Sequence, residues 1–471
     1  MRLAPHPDRL FPADPATRDI ARSLHASVAD APIVSPHGHV PAELLRADEA
    51  FSDPASLLIS PDHYVTRLLH ASGVPLERLG AGGHPAEPRE VWRLFSAHWD
   101  DFLGTPVRFW LETELAEVFG IDEQPSAVGA ERVYDALAAR LAEPEFRPRA
   151  LFDRFRIDVL ATTDDPADDL AAHRALAADP SFSGRVLPTM RADAYMNPAD
   201  TGWAARLDRL AEASGIDCGT HAGLLDALRD RRAFAKSLGS TATDCGTADA
   251  WAEPLERAEA ERIHRAGLTG TATAADAVAY RRDLLYRFAE MAADDGLVMQ
   301  LHTGVLRNHH AGTLARFGPD TGHDLPVTST FVEPLRRMLN DFGTNPAFRI
   351  VLFTVDETTF SREIAPLAGF YPSVYVGAPW WFLDAPAAIG RFRAAATETA
   401  GFRKTSGFID DTRAFCSIPA RHDMSRRADA AYLAGLVTTH QLDEADAHRL
   451  ARDLVSAIPR ETFRLGAETT T

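Results

Sequence analysis

This chain of 471 residues contains three cysteines, two lysines and no long hydrophobic run. Cys218, Cys245 and Cys416 are too few and too scattered to build a disulfide framework. No segment approaches the roughly 20 apolar residues of a membrane helix, and residues 1–15 lack the apolar core of a secretion signal. A net charge of -18 without any basic run argues against nucleic acid and anionic membranes as partners. The sequence therefore predicts a soluble, cytoplasmic protein.

Eight short runs rich in β-branched residues recur along the chain, and helical stretches rich in alanine, arginine and leucine separate them. Strands that alternate with helices pair in parallel, and eight such units are what a closed barrel needs. We therefore predict an α/β fold, a (β/α)8 TIM-like barrel, with an open doubly wound sheet as the alternative. The predicted strands are 31–34, 157–163, 185–190, 240–243, 297–302, 349–355, 374–376 and 405–409.

The long interval between the first two predicted strands indicates a helical insertion. It holds more than a hundred residues, and 91–102, 108–119 and 131–141 show the apolar spacing of helices. We expect the last residues, 466–471, to be disordered. The expected organisation is an N-terminal segment (1–30), the first strand with a metal motif (31–44), the helical insertion (45–150), the remainder of the barrel (151–425), and C-terminal helices with a polar tail (426–471).

The most informative motif is His37-Gly38-His39, which follows the first predicted strand. Side chains alternate across a strand, so two histidines that flank one residue point the same way. At a strand end both imidazoles can bind one divalent metal ion, although an isolated motif of this kind also occurs in solvated loops. The motif predicts a metal site on the rim of the barrel.

Other polar residues follow later strands, at the rim where a barrel places its chemistry. His302 ends one predicted strand and is followed by Arg307, and the planar guanidinium of Arg191 suits a carboxylate. Asp410 and Asp411 follow the last strand, where an aspartate can be a third metal ligand and a general base. A core histidine, a surface ion pair or a helix cap would explain each residue alone, but together they favour a site.

Aromatic residues follow one predicted strand and begin one helical stretch of the insertion. Trp380 and Trp381 follow the strand predicted at 374–376, and an indole at the rim can lie against the C–H face of a sugar, although one of the two can instead pack under a loop. Within the insertion, His63 and Tyr64 begin a helical stretch. If their side chains point into the barrel mouth, they offer an acid or a base.

Taken in their order along the chain, these motifs resemble those of the uronate isomerase family of the amidohydrolase superfamily. The resemblance extends from about residue 31 to residue 464, and no single motif carries it. The motifs concerned are His37-Gly38-His39, Asp62-His63-Tyr64, 105–121, 162–166, Met190-Arg191-Ala192-Asp193, 301–308, Trp380-Trp381-Phe382, Asp411-Thr412-Arg413 and 418–427.

The resemblance implies an intramolecular isomerase that interconverts a hexuronate aldose and its ketose, D-glucuronate with D-fructuronate or D-galacturonate with D-tagaturonate. By the same likeness, His37, His39 and Asp411 would hold one divalent metal ion, with zinc expected. We also expect a homo-oligomer. The residues that would contact the substrate are His63, Tyr64, Arg191, His302, Arg307, Trp380, Trp381 and Arg413.

The chemistry of such an isomerase agrees with these residues. Moving a carbonyl between C1 and C2 needs a base that takes a proton from the carbon beside the carbonyl, and an acid that returns it one carbon away. Asp411 or Tyr64 could be that base, with His63 as a further acid or base. The arginines would hold the C6 carboxylate, which fixes the end of the sugar that meets the base.

Two positions depart from the family pattern. After a strand like that predicted at 240–243 the family usually has Asp-His-Gly, whereas this chain has Asp244-Cys245-Gly246. We expect Cys245 to face the pocket without the acid–base nitrogen of a histidine, and His221 is a candidate to replace that nitrogen in space. The second departure is Phe109, where the family often has histidine. Both departures bear on substrate choice.

Two other functions compete with the isomerase. The first is a metal-dependent hydrolase on the same superfamily barrel, whose binuclear members bridge two metals with a carboxylated lysine at a strand end. Lys236 and Lys404 are not at the ends of predicted strands, so only a mononuclear hydrolase remains. The second is a catalytically silent barrel, which Cys245 suggests and which three convergent arginines argue against.

Overall fold

The computed structural model describes residues 2–466, so the predicted polar tail lies outside the described residues from position 467 onward. Its strands alternate with helices along the chain. The strands are β1 (Ile33–Ser35), β2 (Ile157–Ala161), β3 (Arg185–Leu187), β4 (Met190–Arg191), β5 (Ala242–Thr247), β6 (Val298–Thr303), β7 (Val305–Leu306), β8 (Leu325–Pro326), β9 (Ile350–Thr354) and β10 (Val374–Val376).

The barrel strands form two parallel arcs. The first arc has the order β1-β2-β3, and the second has the order β10-β9-β6-β5-β4. A parallel bridge between Asp164 and Met190 joins the two arcs. The short strands β7 and β8 form an antiparallel hairpin in the loop that follows β6. Parallel strands in chain order with helical crossovers are the pattern of a TIM-type barrel, so the predicted fold class is confirmed.

The eighth predicted strand differs from the others. Segment 405–409 contributes one parallel bridge, from Thr405 to Val376, and no ladder joins it to β1 among residues 2–466. Gly407 within it has φ of +74°, a left-handed conformation that interrupts an extended strand. The two ends of the barrel meet just beyond the strands, where the N–H of His39 donates to the carbonyl of Thr412 at 2.9 Å.

β5 extends beyond its predicted end at Thr243. Residues 244–247 continue the parallel pairing with β6, up to the register pair Thr247 and Thr303. Asp244, Gly246 and Thr247 are typical of a loop, but the backbone of this segment pairs with β6 residue by residue. This correction changes which of these side chains face the barrel interior.

Twenty α-helices surround the strands within the described chain. The helix before β1 is α1 (Pro15–Ala26), and those between β1 and β2 are α2 (Ala42–Ala47), α3 (Pro54–Leu58), α4 (His63–Ala71), α5 (Pro88–Ala97), α6 (Pro106–Thr113), α7 (Ala130–Leu141) and α8 (Pro148–Arg154). The next nine are α9 (Ala171–Ala178), α10 (Trp203–Ser214), α11 (His221–Ser237), α12 (Arg257–Leu268), α13 (Ala274–Asp295), α14 (Ala311–Phe317), α15 (Arg336–Phe342), α16 (Ala365–Phe370) and α17 (Pro386–Ala400). The last three are α18 (Ile418–Thr438), α19 (Glu444–Arg452) and α20 (Ile458–Thr462).

None of the helices in residues 2–466 is long and apolar enough to cross a membrane. The helices between β1 and β2 share one hydrophobic core with the first arc, and Trp92, Phe95 and Trp110 are buried in the same core cluster as Ile157. This packing fixes α2 to α8 against the barrel rather than as a separate body.

Helix α4 brings two predicted site residues to the barrel mouth. The carboxylate of Asp62 accepts a hydrogen bond from the N–H of Tyr64 at 2.8 Å, which caps the helix at its first turn. His63 and Tyr64 therefore occupy the first turn of α4, held by the cap and by the packing of Tyr64 and Val65 into the core.

Candidate active site

One cavity of about 700 Å³ opens at the carboxyl ends of the barrel strands. A barrel of parallel strands carries its chemistry at this end, because the loops that follow the strands converge there. All eleven site residues predicted from the sequence line the cavity: His37, His39, His63, Tyr64, Arg191, His302, Arg307, Trp380, Trp381, Asp411 and Arg413.

Three histidines surround the carboxylate of Asp411. Its Oδ1 lies 3.3 Å from Nε2 of His37 and 3.0 Å from Nε2 of His39. Its Oδ2 lies 4.0 Å from Nε2 of His302. The neighbouring Asp410 is directed elsewhere, and its Oδ2 lies 3.0 Å from Nε2 of His422 in the core. Of the two aspartates that follow the last predicted strand, Asp411 is the one that enters the cavity.

The donor atoms of this cluster fit a divalent metal ion. His37, His302 and Asp411 each offer one ligand atom, and these atoms all lie within 4.8 Å of one another. Nε2 of His302 is buried and has no hydrogen-bond partner in the described part of the chain. Imidazole nitrogens and a carboxylate are ligands that zinc and similar ions accept. His302, which the sequence suggested as a substrate contact, therefore also belongs to the possible metal site.

Asp244 in β5 orients His302 and was missed by sequence reasoning. Its Oδ1 accepts a hydrogen bond from Nδ1 of His302 at 2.7 Å, and its Oδ2 lies 3.2 Å from Nη1 of Arg191. Burial raises the pKa of Asp244, but His302 and Arg191 outweigh this effect and hold the pKa well below its ordinary value. The alternation of side chains along a longer β5 would have placed Asp244 on the barrel interior.

Arg191 is held in a fixed orientation at the end of β4. Its Nε donates to Oδ2 of Asp193 at 2.7 Å, while Asp244 approaches its Nη1. The N–H of Gly246 donates to the other oxygen of Asp193 at 2.8 Å. A Cβ atom at Gly246 would lie 2.3 Å from Nη2 of Arg191, so a larger residue would displace the guanidinium. Arg191 is thus positioned before any ligand binds.

Arg307 and Arg413 face the cavity from two different loops. Nη1 of Arg307 lies 2.9 Å from Oδ2 of the buried Asp324, and its guanidinium lies 5.0 Å from the ring of Trp381. Nη2 of Arg413 lies 3.3 Å from Oδ2 of Asp320. Each of the three predicted arginines therefore lies beside a carboxylate of the protein, and Asp320 and Asp324 are lining residues that sequence reasoning missed.

Aromatic rings form one wall of the cavity. His63 stacks on Tyr64 with ring centroids 4.8 Å apart and lies 5.3 Å from Trp381. Trp380 meets His302 edge to face at 4.7 Å. Both tryptophans are largely buried and still line the cavity, so each can present part of its ring to a ligand.

The two α4 residues are uncharged at neutral pH. Burial, with a smaller contribution from Arg413, lowers the pKa of His63 to about 3. Burial raises the pKa of Tyr64 far above its ordinary value, although the nearby Arg421 opposes the shift. Tyr64 is therefore a protonated phenol that can donate a hydrogen bond, which argues against its alternative assignment as the base.

Several residues that line the cavity have a left-handed backbone conformation. Ten non-glycine residues within 2–466 have positive φ, and four of them line it: Asn308, Asp320, Trp381 and Asp411. A bulky residue such as Trp381, with φ of +52°, rarely adopts this conformation. Strain of about 1–3 kcal/mol per residue persists only where the surrounding structure imposes it, and such positions are concentrated at functional sites.

Cys245 does not face the cavity, and the prediction that it does is wrong. Because β5 continues through it, Cys245 points to the opposite face of the sheet from Asp244. It is 2% exposed and packs in the core, where Ala192, Leu228 and Phe288 line the same small void. The cysteine is a small core residue, so it removes no group from the cavity.

The other residues raised by the sequence analysis also lie elsewhere. Nε2 of His221 is 2.9 Å from Asp283 among the outer helices, so it does not replace a nitrogen in the cavity. The ring of Phe109 packs under the guanidinium of Arg9 at 3.9 Å. Nζ of Lys404 donates to the carbonyl of Tyr371 at 3.1 Å. Neither Lys404 nor the other lysine of the chain lines the cavity, which excludes a lysine bridge there.

A TIM-type barrel with imidazole and carboxylate groups at its carboxyl end is the arrangement of amidohydrolase-like proteins. Within that class, the glucuronate isomerase family model matches residues 15–463. The chain is 53% identical over 464 residues to the uronate isomerase of Corynebacterium efficiens, which covers 98% of this chain and 99% of that protein. The chain belongs to the glucuronate isomerase family.

Solved structures agree with this assignment. The crystal structure of glucuronate isomerase from Caulobacter crescentus matches with a TM-score of 0.97 at 43% identity, covering 100% of this chain and 98% of that one. Uronate isomerase from Thermotoga maritima matches with a TM-score of 0.91 at 28% identity, covering 97% and 99%. The resemblance inferred from the motifs and the predicted enzyme class are both confirmed.

Proposed function

We propose that this protein interconverts a hexuronate aldose and its ketose, D-glucuronate with D-fructuronate or D-galacturonate with D-tagaturonate, by moving a proton between C2 and C1. The observation that carries the proposal is the convergence of the Asp411–histidine cluster and three arginines on one cavity. Membership of the glucuronate isomerase family supports it over a mononuclear hydrolase or a silent barrel. A homo-oligomer and a cytoplasmic location stay predictions.

We assign one divalent metal ion, with zinc as the expected ion, to His37, His39 and Asp411, and we add His302 as a fourth candidate ligand. When bound, such an ion would polarise the substrate oxygens at C1 and C2. Elemental analysis of the purified protein should find about one ion per chain. The His37→Ala, His39→Ala double variant should lose most of it, and full occupancy in that variant would contradict the assignment.

The proton is handled by groups of opposite character. The carboxylate of Asp411 lies within the histidine cluster, with its Oδ1 3.0 Å from Nε2 of His39 and its Oδ2 4.0 Å from Nε2 of His302, so a proton acceptor is placed there. Tyr64 is a protonated phenol on the aromatic wall, where it can donate a hydrogen bond. We therefore assign Asp411 as the proton acceptor and Tyr64 as the donor, with the neutral imidazole of His63 stacked on the phenol to position it.

The arginines divide between the two ends of the sugar. Arg191 lies beside Asp244 and the Asp411–histidine cluster, so we assign it to the oxygens next to the reacting carbons. Arg307 and Arg413 share a carboxylate of the protein across the cavity, which indicates that a substrate carboxylate fits between them. Trp380 and Trp381 would contact the apolar faces of the sugar.

A proton NMR time course in heavy water tests this function. Metal-loaded protein is incubated separately with D-glucuronate and D-galacturonate, and the His37→Ala, His39→Ala variant is the control. At least one uronate should be converted to its ketose with deuterium entering at C1 or C2. Conversion of neither sugar would contradict the proposed activity, and conversion without deuterium entry would contradict exchangeable proton transfer.

A further inference from the structure

A carboxylate of the protein itself lies between the two arginines that we assign to the substrate carboxylate. Oδ2 of Asp320 is 3.3 Å from Nη2 of Arg413, and its Oδ1 is 3.9 Å from Nη1 of Arg307. Asp320 lines the cavity, in the loop between β7 and β8. Burial raises the pKa of Asp320, but Arg413 and Arg307 outweigh it, so the carboxylate is ionised at neutral pH.

The two carboxylates near Arg307 differ in how firmly they are held. Asp324 is 3% exposed, lies 2.9 Å from Arg307 and accepts the N–H of Asn308 at 2.6 Å, so it is a permanent partner. The side chain of Asp320 is 49% exposed. If Asp320 moved away, Arg307 would keep Asp324. Arg413 would lose its one ion-pair partner among residues 2–466.

We propose that Asp320 is an internal competitor for the substrate carboxylate, which lowers the affinity of the free cavity for an anionic sugar. In the free protein it neutralises Arg413, and a hexuronate must displace it to bind. An exposed ion pair contributes only ~0.2–1 kcal/mol, so another carboxylate can replace it. A neutral hexose offers no charge to Arg413 in exchange, so it leaves the Asp320–Arg413 pair in place. The inference rests on the proposed function in one respect, that Arg413 binds the carboxylate of the substrate.

Asp320 can be tested without disturbing its backbone. The backbone of Asp320 has φ of +60°, and Gly318, two residues earlier, has φ of +79°. Asparagine tolerates this left-handed conformation as well as aspartate does, and it has nearly the same shape. Asp320→Asn therefore removes the charge and leaves the loop conformation in place.

The matched control is Asp200→Asn. Asp200 lines the same cavity and its side chain is 50% exposed, but its ion-pair partner is Arg206, 3.5 Å away, rather than Arg413. This variant removes one negative charge from the cavity wall without releasing either substrate-binding arginine. It separates a direct exchange of ion pairs from a general change in cavity charge.

The experiment is calorimetric titration of the metal-loaded protein with D-glucarate, a dicarboxylate that cannot isomerise, and with D-glucitol, its neutral counterpart. Asp320→Asn should bind D-glucarate about two- to fivefold more tightly than wild type, the range expected from losing an exposed ion pair. Its affinity for D-glucitol should not change. Asp200→Asn should match wild type, and adding Asp320→Asn to Arg413→Met should bring no further gain.

Each of the other results overturns the inference. Unchanged or weaker D-glucarate binding in Asp320→Asn, while Arg413→Met is weakened, would mean that Asp320 does not compete with the ligand, and the proposed function would stand. An equal gain in D-glucarate affinity in Asp200→Asn would show that the effect comes from the total charge of the cavity and not from Asp320. If Arg413→Met bound D-glucarate as tightly as wild type, the assignment of Arg413 in the proposed function would also be wrong.

Discussion

Nδ1 of His302 donates a 2.7 Å hydrogen bond to the carboxylate of Asp244 across the neighbouring strands β6 and β5. Burial lowers the pKa of His302, so the ring is neutral and carries one proton. With that proton on Nδ1, the lone pair of Nε2 points toward Asp411, 4.0 Å away. A carboxylate behind an imidazole fixes its tautomer and strengthens it as a metal ligand.

Asp244→Asn should therefore weaken metal binding. We expect a loss of about 10- to 100-fold in affinity, the usual effect of removing a carboxylate behind a histidine ligand. The measurement is competition with a chromophoric chelator. Asp193→Asn is the control, because Asp193 touches Arg191 without touching a histidine. Equal affinity in Asp244→Asn and wild type would show that this carboxylate does not act through His302.

Arg191→Met should lower kcat/KM, with a loss of transition-state stabilisation of about 2–4 kcal/mol, because a charge-assisted contact in a buried site loses one partner. Steady-state kinetics on the better uronate measures this. Arg391→Met, at the exposed pair with Glu357, is the control and should leave kcat/KM unchanged. Full activity in Arg191→Met would remove this residue from the substrate site.

Cys245→His should destabilise the protein and bring no new function to the cavity. The thiol is buried on the outer face of β5, and an imidazole there would overpack the core, at a cost of about 1–3 kcal/mol. Urea denaturation measures the loss, with the smaller change Cys245→Ala for comparison. Burial also raises the pKa of the Cys245 thiol, so a thiol reagent should label it only after unfolding. A stable histidine variant with higher activity would contradict this placement.

Glu114 should make stability depend on pH. It is 3% exposed, and burial, with a smaller contribution from Asp62, raises its pKa from 4.5 to about 8. Folding then takes up a proton between these values, so this group's contribution to stability is lost as the pH rises through that window. Glu114→Gln should gain stability relative to wild type by ~1.4 kcal/mol or more between pH 5 and pH 8.5, the equivalent of one pKa unit.

Denaturant unfolding at both pH values checks this difference. Glu112→Gln is the matched control, since Glu112 lies two positions away in the sequence, at a 2.7 Å ion pair with Arg108. If the Glu114 and Glu112 variants show the same dependence on pH, Glu114 does not take up a proton on folding.

The strands and the metal motif could be predicted because their signals in the sequence are local. Seven of the eight predicted runs contain strands of the barrel, because short buried strands between helices leave a clear apolar pattern. The alternation rule placed His37 and His39 on one side, as the structure has them. The bounds were wrong where polar residues continue a strand, as in β5, and where Gly407 breaks one.

The missed residues depend on contacts between distant parts of the chain. Asp244 and His302 are 58 positions apart, and Asp320 and Arg413 are 93 positions apart. No periodicity in one sequence signals such pairs, because each partner on its own resembles an ordinary polar residue near a strand end. They became visible only when the fold brought the loops to one rim.

The Asp411–histidine cluster spans the junction between β1 and segment 405–409, which no strand ladder joins among the described residues. His37 and His39 follow β1, whereas Asp411 follows segment 405–409, and one backbone hydrogen bond from His39 to Thr412 joins these two ends. An ion bound by residues of both segments would cross-link the two ends of the barrel. Removing the metal would then destabilise the fold as well as stop turnover. The backbone amides next to the junction between His39 and Thr412 should be the first to exchange with solvent.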